Sequence, residues 1–342
     1  MENTEKIPLL GMTLEQLREV AAANGMKAFA GKQMAEWLYD KRVTSIDEMT
    51  NLSLKAREEL NKSYKVGRFS PKQEAVSIDG TVKYLFDGKG GRDIEAVYIP
   101  DKERATLCVS SQAGCRMGCT FCMTGRQGFH GNLTVTDIIN QVLSIPLSEK
   151  LTNIVFMGMG EPMDNLPAVM QALEVLTSPW GLAWSPKRIT VSTIGKIDGL
   201  KRLLDETKVH VAISVHSPVA EQRASLMPVE KAYPLKSVVE LLRGYDFAHQ
   251  RRLSIEYIMW KGVNDSLRQA QSLARLLKGL DCRVNLIRFH AIPDSPLTTA
   301  NNETMVSFRD RLNELGITAT IRTSRGEDIA AACGMLAGQK KC

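Results

Sequence analysis

The feature that most limits the possible folds is a repeated alternation of apolar, strand-like segments with helical segments after Cys122. The predicted strands are Asn153–Met157, Arg188–Ser192, Val209–Val215, Ser254–Met259, Arg283–Phe289 and Ile317–Arg322. The predicted helices are Thr134–Leu143, Pro167–Leu176, Gly199–Leu204, Leu235–Leu242, Ser266–Leu277 and Met305–Leu315. Buried strands that alternate with helices form a parallel sheet. About six such units are too few for the eight of a closed barrel, so we predict an α/β fold with an open (β/α)6 partial barrel. Its active site is expected at the carboxyl ends of the strands.

The residues before this alternation predict two further regions. Thr13 with Gln16, and Ser45 with Glu48, each fit a capping box, which indicates helices near the N-terminus. Short strands separated by a Gly-rich turn are predicted next, at Val82–Asp87, Ile94–Ile99 and Ala105–Ser110. We therefore predict a small helical N-terminal domain over residues 1–75, a β-hairpin extension over 76–110 and a catalytic partial barrel over 111–342.

Composition narrows the class of protein. The chain has 342 residues, of which 44% are hydrophobic, and a net charge of +6. A mildly basic chain permits a nucleic-acid partner without requiring one. The basic residues between Lys55 and Lys72 form either a solvated helix face or an RNA-contacting surface. Because there is no signal-peptide pattern, and no apolar stretch approaches the roughly 20 residues that cross a bilayer, we expect a cytoplasmic protein without membrane association.

Three of the seven cysteines stand close together in Cys115-Arg-Met-Gly-Cys119-Thr-Phe-Cys122, a CxxxCxxC pattern. In a reducing compartment this spacing indicates metal binding rather than disulfides. A structural zinc site usually has four protein ligands, whereas three thiolates on a four-iron cubane leave one iron available to a small molecule. That iron can bind S-adenosylmethionine (SAM) and pass it an electron, which breaks a C–S bond and yields a 5′-deoxyadenosyl radical. Zinc with a fourth ligand such as His130 or Cys108 is the alternative interpretation.

Short polar motifs follow the predicted strands. In Gly158-Met-Gly-Glu-Pro162 the glycines allow a ligand to approach the backbone, and Glu161 can accept a hydrogen bond from an ammonium group. An ordinary turn is the alternative there. Ser192 ends one strand and Ser214 ends the next, so both side chains either point into the site or are merely hydrogen-bonded.

Five ordered motifs resemble those of the RlmN family of radical SAM methyltransferases, which act on RNA adenosine. The motifs are Arg104-Ala-Thr-Leu-Cys-Val-Ser-Ser-Gln-Ala-Gly-Cys115, Phe156-Met-Gly-Met-Gly-Glu-Pro-Met-Asp-Asn165, Val191-Ser-Thr-Ile-Gly195, Ser214-Val-His-Ser217 and Arg325-Gly-Glu-Asp-Ile-Ala-Ala-Ala-Cys-Gly334. The resemblance covers essentially the whole chain. It implies one [4Fe-4S] cluster, held by Cys115, Cys119 and Cys122, and two SAM molecules per turnover.

The same resemblance implies how SAM is held. Gly160 and Glu161 are expected to contact its methionyl part. The residues expected to hold its ribose and carboxylate are Ser192, Ser214, Val215 and His216. His290 departs from the family pattern, because it stands where the family has an Asn that is followed by Pro. A SAM contact at this position is therefore expected only if backbone atoms make it.

Local sequence alone indicates that Cys333, between Ala332 and Gly334, is a small buried hydrophobe. The resemblance implies instead that one SAM methylates Cys333 and that a radical from a second SAM abstracts hydrogen from the S-methyl group. The carbon radical then adds to C2 of adenine, and Glu95 accepts the ring proton. Cys108 is expected to attack the sulfur of Cys333, which releases the RNA and leaves a transient disulfide. The remaining cysteines, Cys282 and Cys342, are expected to be core and tail.

The resemblance also implies the partners. They are an adenosine in the peptidyl-transferase region of 23S rRNA, an adenosine next to the anticodon of certain tRNAs, and an electron donor such as flavodoxin; a monomer is expected. One rival is a Cfr-like enzyme that methylates C8 of the same rRNA adenosine. Another is a non-catalytic zinc-bearing RNA-binding protein. Pro162 favours the C2 enzymes, because the C8 relatives lack this proline.

Overall fold

A ten-stranded sheet organises the larger of two compact units in the computed structural model, which describes residues 6–338. In sheet order the strands are β14 (Thr318–Ile321), β13 (Arg283–Arg288), β12 (Leu253–Met259), β11 (His210–Ser214), β10 (Ile189–Thr193), β9 (Asn153–Phe156), β6 (Arg104–Cys108), β5 (Ile94–Asp101), β4 (Val82–Phe86) and β3 (Gln73–Val76). Neighbours from β6 to β14 are parallel, and neighbours from β3 to β6 are antiparallel. The sheet is open, since β3 and β14 are its edges.

The parallel strands are apolar at consecutive positions, which is why both of their faces can be buried. In β12, for example, every residue except Ser254 is buried. The helices of this unit are α4 (Met123–Arg126), α7 (Ile197–Glu206), α8 (Ala220–Leu226), α9 (Leu235–Leu242), α10 (Leu267–Leu277) and α11 (Asn302–Glu314). In chain order a helix follows each of the strands β6 and β9 to β13, so the predicted open (β/α)6 partial barrel is confirmed.

Within the described residues, the smaller unit comprises 6–71, 133–150 and 166–185. Its elements are β1 (Ile7–Pro8), α1 (Leu14–Ala23), α2 (Phe29–Ala35), α3 (Leu54–Ser63), β2 (Tyr64–Lys65), α5 (Val135–Leu143) and α6 (Leu166–Thr177). Both predicted capping boxes are present. Thr13 and Gln16 exchange hydrogen bonds at the start of α1, and Ser45 and Glu48 do so at a 3₁₀ turn.

A second, two-stranded sheet frames the cysteine motif. It consists of β7 (Gln112–Gly114) and β8 (Phe129–Asn132), which pair antiparallel. Cys115 follows β7 directly, and its backbone N–H donates to Gly128 O at 2.9 Å. Cys122 is the residue before α4. The predicted extension over residues 76–110 is part of the ten-stranded sheet, since β6 pairs with β9. The division into three domains stays a prediction. Between residues 6 and 338, no helix is long and apolar enough to span a membrane.

Candidate active site

A cavity of about 470 Å³ lies where the parallel strands end, within the larger unit. Each of the seven parallel strands, or the residue that follows it, contributes to the wall. In order along the chain these residues are Cys108, Phe156, Ser192, Ser214, Ile258, Ile287 and Arg322. This volume suits a small-molecule ligand. The predicted position of the active site, at the carboxyl ends of the strands, therefore coincides with a cavity of suitable size.

The three cysteines of the CxxxCxxC motif all line this cavity. Cys122 N donates to Cys119 O at 3.2 Å, which holds the loop in a tight turn. Burial raises the pKa of the Cys115 thiol to about 12 and that of Cys119 well above its ordinary value. A bound metal reverses this preference, because a coordinating thiolate is deprotonated by the positive charge beside it.

The three thiols share the wall of one cavity, in apolar surroundings that suit thiolate ligation of an iron–sulfur cluster. The His130 ring, one candidate fourth zinc ligand, is hydrogen-bonded to Gln127 O at 3.1 Å. Cys119 belongs to an apolar cluster that also contains Phe121, Ile194, Leu226, Met227, Val229, Ile258, Trp260, Ile287, Phe289 and Ile292.

Gly160 and Glu161 form the cavity wall after β9. Gly160 has a φ of +98°, and a Cβ at this position would lie 2.5 Å from Gln112 Cβ, so only glycine fits here. The Glu161 carboxylate accepts hydrogen bonds from Thr193 Oγ1 at 2.6 Å and Ile194 N at 3.1 Å. Burial raises the pKa of Glu161 to about 7, although these hydrogen bonds act in the opposite direction.

His216 lines the cavity and has an unusual backbone, with a φ of +56°. Its Nδ1 accepts a hydrogen bond from Ile258 N at 3.0 Å. Burial, with a smaller contribution from Arg223, lowers the pKa of His216 to about 3, so the ring is neutral near pH 7. Because a backbone N–H can only donate, the proton of the neutral ring lies on Nε2. His216 can therefore offer a hydrogen-bond donor to a ligand.

The other predicted SAM contacts differ in whether they reach the cavity. Ser192, Ser214 and His290 line the cavity, whereas Val215 does not. The Val215 carbonyl instead accepts a hydrogen bond from Arg223 Nε at 3.1 Å. His290 Nδ1 lies 3.3 Å from a carboxylate oxygen of Glu327. Ser192, Ser214 and His290 thus remain available for contact with SAM, and any part played by Val215 would be indirect.

Cys333 and Cys108 line the same cavity as the three cysteines of the motif. Cys333 is exposed, contrary to the expectation from its local sequence, whereas Cys108 is buried. Burial, with a contribution from Cys333, raises the pKa of the Cys108 thiol to about 12. Although part of the Cys333 side chain is exposed at the cavity, the protein atoms packed around its sulfur raise the pKa to about 11 by desolvation, and the Arg322 guanidinium partly offsets this. Cys282 is buried outside the cavity wall, and Cys342 lies outside the described residues.

Glu95 does not line the cavity. It is buried, and its Oε1 lies 3.1 Å from Lys83 Nζ. Its Oε2 accepts hydrogen bonds from the backbone N–H groups of Ala337 and Gly338, at 2.8 and 3.1 Å. Glu95 therefore contacts the segment that carries Cys333, but its carboxylate binds Lys83 and two backbone N–H groups rather than facing the cavity.

Three charged residues in or behind the cavity wall were not predicted from the sequence: Arg322, Glu256 and Arg223. Arg322 Nη1 lies 3.4 Å from Glu256 Oε2, and both residues line the cavity. Glu256 also accepts a hydrogen bond from Asn285 Nδ2 at 2.8 Å, across adjacent strands. The only available signal was a charged residue inside an apolar strand, at Glu256, and such a residue needs a partner when it is buried.

Arg223 is fully buried and joins the ends of two strands. Its guanidinium donates to Ile194 O and Ser214 O, each at 3.0 Å, and forms an ion pair with Glu230. Ile194 follows β10 directly, and Ser214 ends β11. Arg223 therefore holds the position of two strand ends that form the cavity wall.

We expect Arg223→Met to lower the free energy of unfolding by roughly 3–5 kcal/mol, because Glu230 would be left as an unpaired buried charge. Urea denaturation, monitored by circular dichroism, measures the change. Arg202→Met is the matched control, since Arg202 forms an exposed ion pair with Glu206 within one helix. A shift no larger than that of the control would contradict the structural role of Arg223.

An open partial barrel with three closely spaced cysteines at its strand ends is the architecture of a radical SAM protein. Residues 109–274 match the family model of the Radical SAM superfamily, and residues 7–66 match that of the ribosomal RNA large subunit methyltransferase N-terminal domain. The chain belongs to the RlmN family of dual-specificity RNA methyltransferases.

Individual relatives cover nearly the whole chain. It is 60% identical over 336 residues to the probable dual-specificity RNA methyltransferase RlmN of Bacteroides fragilis, with 98% of each chain covered. It is 39% identical over 335 residues to the dual-specificity RNA methyltransferase RlmN of Geotalea uraniireducens, again with 98% of each covered. Among solved structures it matches a radical SAM methyltransferase from Sphaerobacter thermophilus, with a TM-score of 0.90 and 38% identity over 96% of this chain and 99% of that chain. The predicted family is confirmed, and the radical SAM class implies a [4Fe-4S] cluster and SAM.

Proposed function

We propose that this chain methylates C2 of adenosine in the peptidyl-transferase region of 23S rRNA and next to the anticodon in tRNA, with Cys333 as the methyl carrier. The observation that supports this most directly is that Cys333, Cys108 and the three cysteines of the motif line one cavity. The names of the relatives, which specify dual-specificity RNA methyltransferases, agree with two RNA substrates.

The proposed cofactor site follows from the cavity wall. Cys115, Cys119 and Cys122 would hold the cluster, which suits thiolate donors in an apolar setting. The residues that would hold SAM are Gly160, Glu161, Ser192, Ser214 and His216. His290 also lines the cavity, and it would contribute through its backbone atoms. When bound, the cluster and SAM would supply an electron, a methyl group and a carbon-centred radical. The apolar residues around Cys119 would exclude water from this chemistry.

The two remaining cysteines of the cavity have complementary roles in the proposal. The Cys333 sulfur, exposed to the cavity, would accept the methyl group and later link the protein to adenine through its carbon. The Cys108 thiolate would then attack the Cys333 sulfur: an S–S bond forms, the S–C bond breaks, and its electron pair stays on the carbon, which takes up a proton to become the methyl group of the RNA. A thiol reductant would restore both thiols. Cys333 must ionise to accept the methyl group, and Cys108 must ionise to attack the sulfur. Arg322 favours both ionisations, because it lowers both pKa values against the effect of desolvation.

Glu95 would accept the proton of the adenine ring, as the family resemblance implies. The contacts of its carboxylate with Ala337 N and Gly338 N keep it next to the segment that carries Cys333. Its ion pair with Lys83 keeps a cation close to the carboxylate. These contacts support a location near the reaction, and the base role itself remains part of the proposal.

We expect Cys108→Ala to accumulate a covalent complex between the protein and RNA, because no thiol would then attack the Cys333 sulfur. Denaturing gel electrophoresis with labelled RNA measures the complex. Cys282→Ala is the matched control, since Cys282 is buried outside the cavity wall. If Cys108→Ala releases methylated RNA at the rate of the control, Cys108 does not resolve the complex.

RNA contacts are proposed for the basic N-terminal part of the chain, but several cations there have structural roles. Arg57 donates to Asp47 O at 2.5 Å, and Arg68 donates to Leu143 O at 2.7 Å. Lys55 and Lys62 are exposed, so they are better placed to contact phosphates, and Lys62 also forms a surface ion pair with Glu59. Such contacts make affinity fall steeply with salt concentration.

Anaerobic reconstitution with iron, sulfide, SAM, reductant and unmodified RNA tests the proposed function. Mass spectrometry of the digested nucleosides should give 2-methyladenosine from both rRNA and tRNA substrates. Formation of 8-methyladenosine would replace the C2 proposal with that of a Cfr-like enzyme. Protein that contains zinc without iron or sulfide, and forms no methylated nucleoside, would favour the zinc-bearing RNA-binding protein. A flavodoxin can serve as the electron donor in the same assay, and size-exclusion chromatography tests the proposed monomer.

A further inference from the structure

The segment that carries Cys333, residues 323–338, contains neither a helix nor a strand. It is therefore not positioned by the hydrogen-bond ladders that position the other cavity residues. Its bonds to the rest of the larger unit come mainly from individual side chains. How these bonds fix the segment determines where the Cys333 sulfur lies in the cavity.

Two aspartates join this segment to the hairpin loop between β3 and β4. Asp79, in the loop, accepts a hydrogen bond from Gly326 N in the segment at 3.0 Å. Asp328, in the segment, accepts hydrogen bonds from Ser77 Oγ at 2.6 Å and Ile78 N at 3.2 Å in the loop. The loop and the segment thus each supply one carboxylate, which accepts hydrogen bonds from the other. We call these contacts of Asp79 and Asp328 the aspartate clasp.

Packing and charge agree with a specific fit at the clasp. Gly326 has a φ of +64°, and a Cβ there would lie 2.9 Å from both Thr81 Cγ2 and Ala331 Cβ. The hydrogen bonds of Asp79 lower its pKa to about 2 despite its burial. The hydrogen bonds from Ser77 and Ile78 also lower the pKa of Asp328. Both carboxylates are therefore ionised near neutral pH, which makes their hydrogen bonds charge-assisted.

The other end of the segment is bound to α4, directly after the cysteine motif. Gly334 O accepts a hydrogen bond from Met123 N at 2.8 Å, and Leu336 O accepts one from Thr124 Oγ1 at 2.6 Å. Cys333 therefore lies between the aspartate clasp on one side and α4 on the other. A reacting atom displaced by about 1 Å can lose on the order of a hundredfold in rate. These attachments, together with the contacts of Glu95 with Ala337 N and Gly338 N, therefore bear on a sulfur that must meet SAM, adenine and Cys108.

We propose that Asp79 and Asp328 are positioning residues for methyl transfer, because the clasp that they form holds the Cys333 segment in place at the cavity. This inference rests on the proposed function of Cys333. Neither aspartate lines the cavity, so both act through the segment. Loss of the clasp leaves the cluster ligands and the cavity wall after β9 intact, but allows the Cys333 sulfur to leave its productive position.

Hydrogen–deuterium exchange of the cluster-loaded protein tests the clasp without reference to activity. We expect Asp328→Ala to accelerate amide exchange in a peptide covering 326–338 by about tenfold or more, since local opening controls exchange. A peptide covering β12 should be unchanged and serves as the internal reference. Asp79→Asn, which keeps one acceptor oxygen, should give a smaller effect. Glu74→Ala is the matched control, because Glu74 is an exposed carboxylate on β3 of the same hairpin. Unchanged exchange in 326–338 would overturn the clasp.

The second measurement asks whether the clasp serves the reaction. We expect Asp328→Ala to form 5′-deoxyadenosine at close to the normal rate while methylated RNA per SAM cleaved falls about tenfold or more. Equal losses of both products would indicate a merely structural role and overturn the proposal, as would normal coupling together with accelerated exchange. If the unaltered protein forms no methylated RNA while the exchange result is obtained, the proposed function fails and the clasp stands as a structural finding.

Discussion

Replacing Cys333 with alanine is expected to abolish methylation of RNA while leaving reductive cleavage of SAM in place. Cys333 is the exposed sulfur of the cavity, and the proposal assigns the methyl carrier to it alone. Alanine removes that sulfur and leaves Cys115, Cys119 and Cys122 unaltered. The loss should be on the order of 10³-fold or more, as expected when a covalent nucleophile is removed.

Two products are measured in the same anaerobic assay. Methylated nucleoside should fall to background in Cys333→Ala, whereas 5′-deoxyadenosine should still form when reductant is present. Cys282→Ala should behave like the unaltered protein in both measurements, because Cys282 lies outside the cavity wall. Methylated RNA from Cys333→Ala would show that the methyl group reaches adenine without this cysteine, and the covalent-carrier mechanism would be wrong.

Most of the partial barrel was predictable because its information is local. Buried parallel strands need several consecutive apolar residues, and this requirement located each strand from β9 to β14 to within one residue at either end. The short strands β1, β2, β3, β7 and β8 were not predicted. The sequences Gln112-Ala-Gly and Phe129-His-Gly-Asn show no alternation of apolar and polar residues, and their pairing depends on contacts across the cysteine motif.

The candidate site divides in the same way. The cysteine motif and the strand-end residues could be found because each is a short pattern beside a predicted element. Arg322 and Glu256 could not be paired in advance, since 66 positions separate them and only the sheet brings them together. The aspartate clasp could not be predicted from the sequence either, because Ser77 and Asp328 are 251 positions apart. The family resemblance could suggest a role for Glu95, but could not reveal its contacts with Lys83, Ala337 and Gly338.

Replacing Cys115 with alanine is expected to remove the visible absorbance of the reconstituted cluster and, with it, both SAM cleavage and RNA methylation. The three cysteines of the motif share one cavity wall, and a cluster that loses one of three protein thiolates is not stably held. Iron and sulfide analysis, with the absorption spectrum, measures the loss. Retention of the full spectrum in Cys115→Ala would show that another residue supplies the ligand.

Comparison with Cys333→Ala makes this test specific for three protein ligands. Cys333 shares the cavity with the motif, and the Cys122 thiol is among the groups that raise its pKa, so Cys333 is an alternative thiol ligand that must be tested. If three ligands hold the cluster, Cys115→Ala loses the spectrum and Cys333→Ala keeps it. Loss of the spectrum in both variants would make Cys333 a fourth ligand. SAM would then have no iron to bind, and Cys333 could not serve as a methyl carrier.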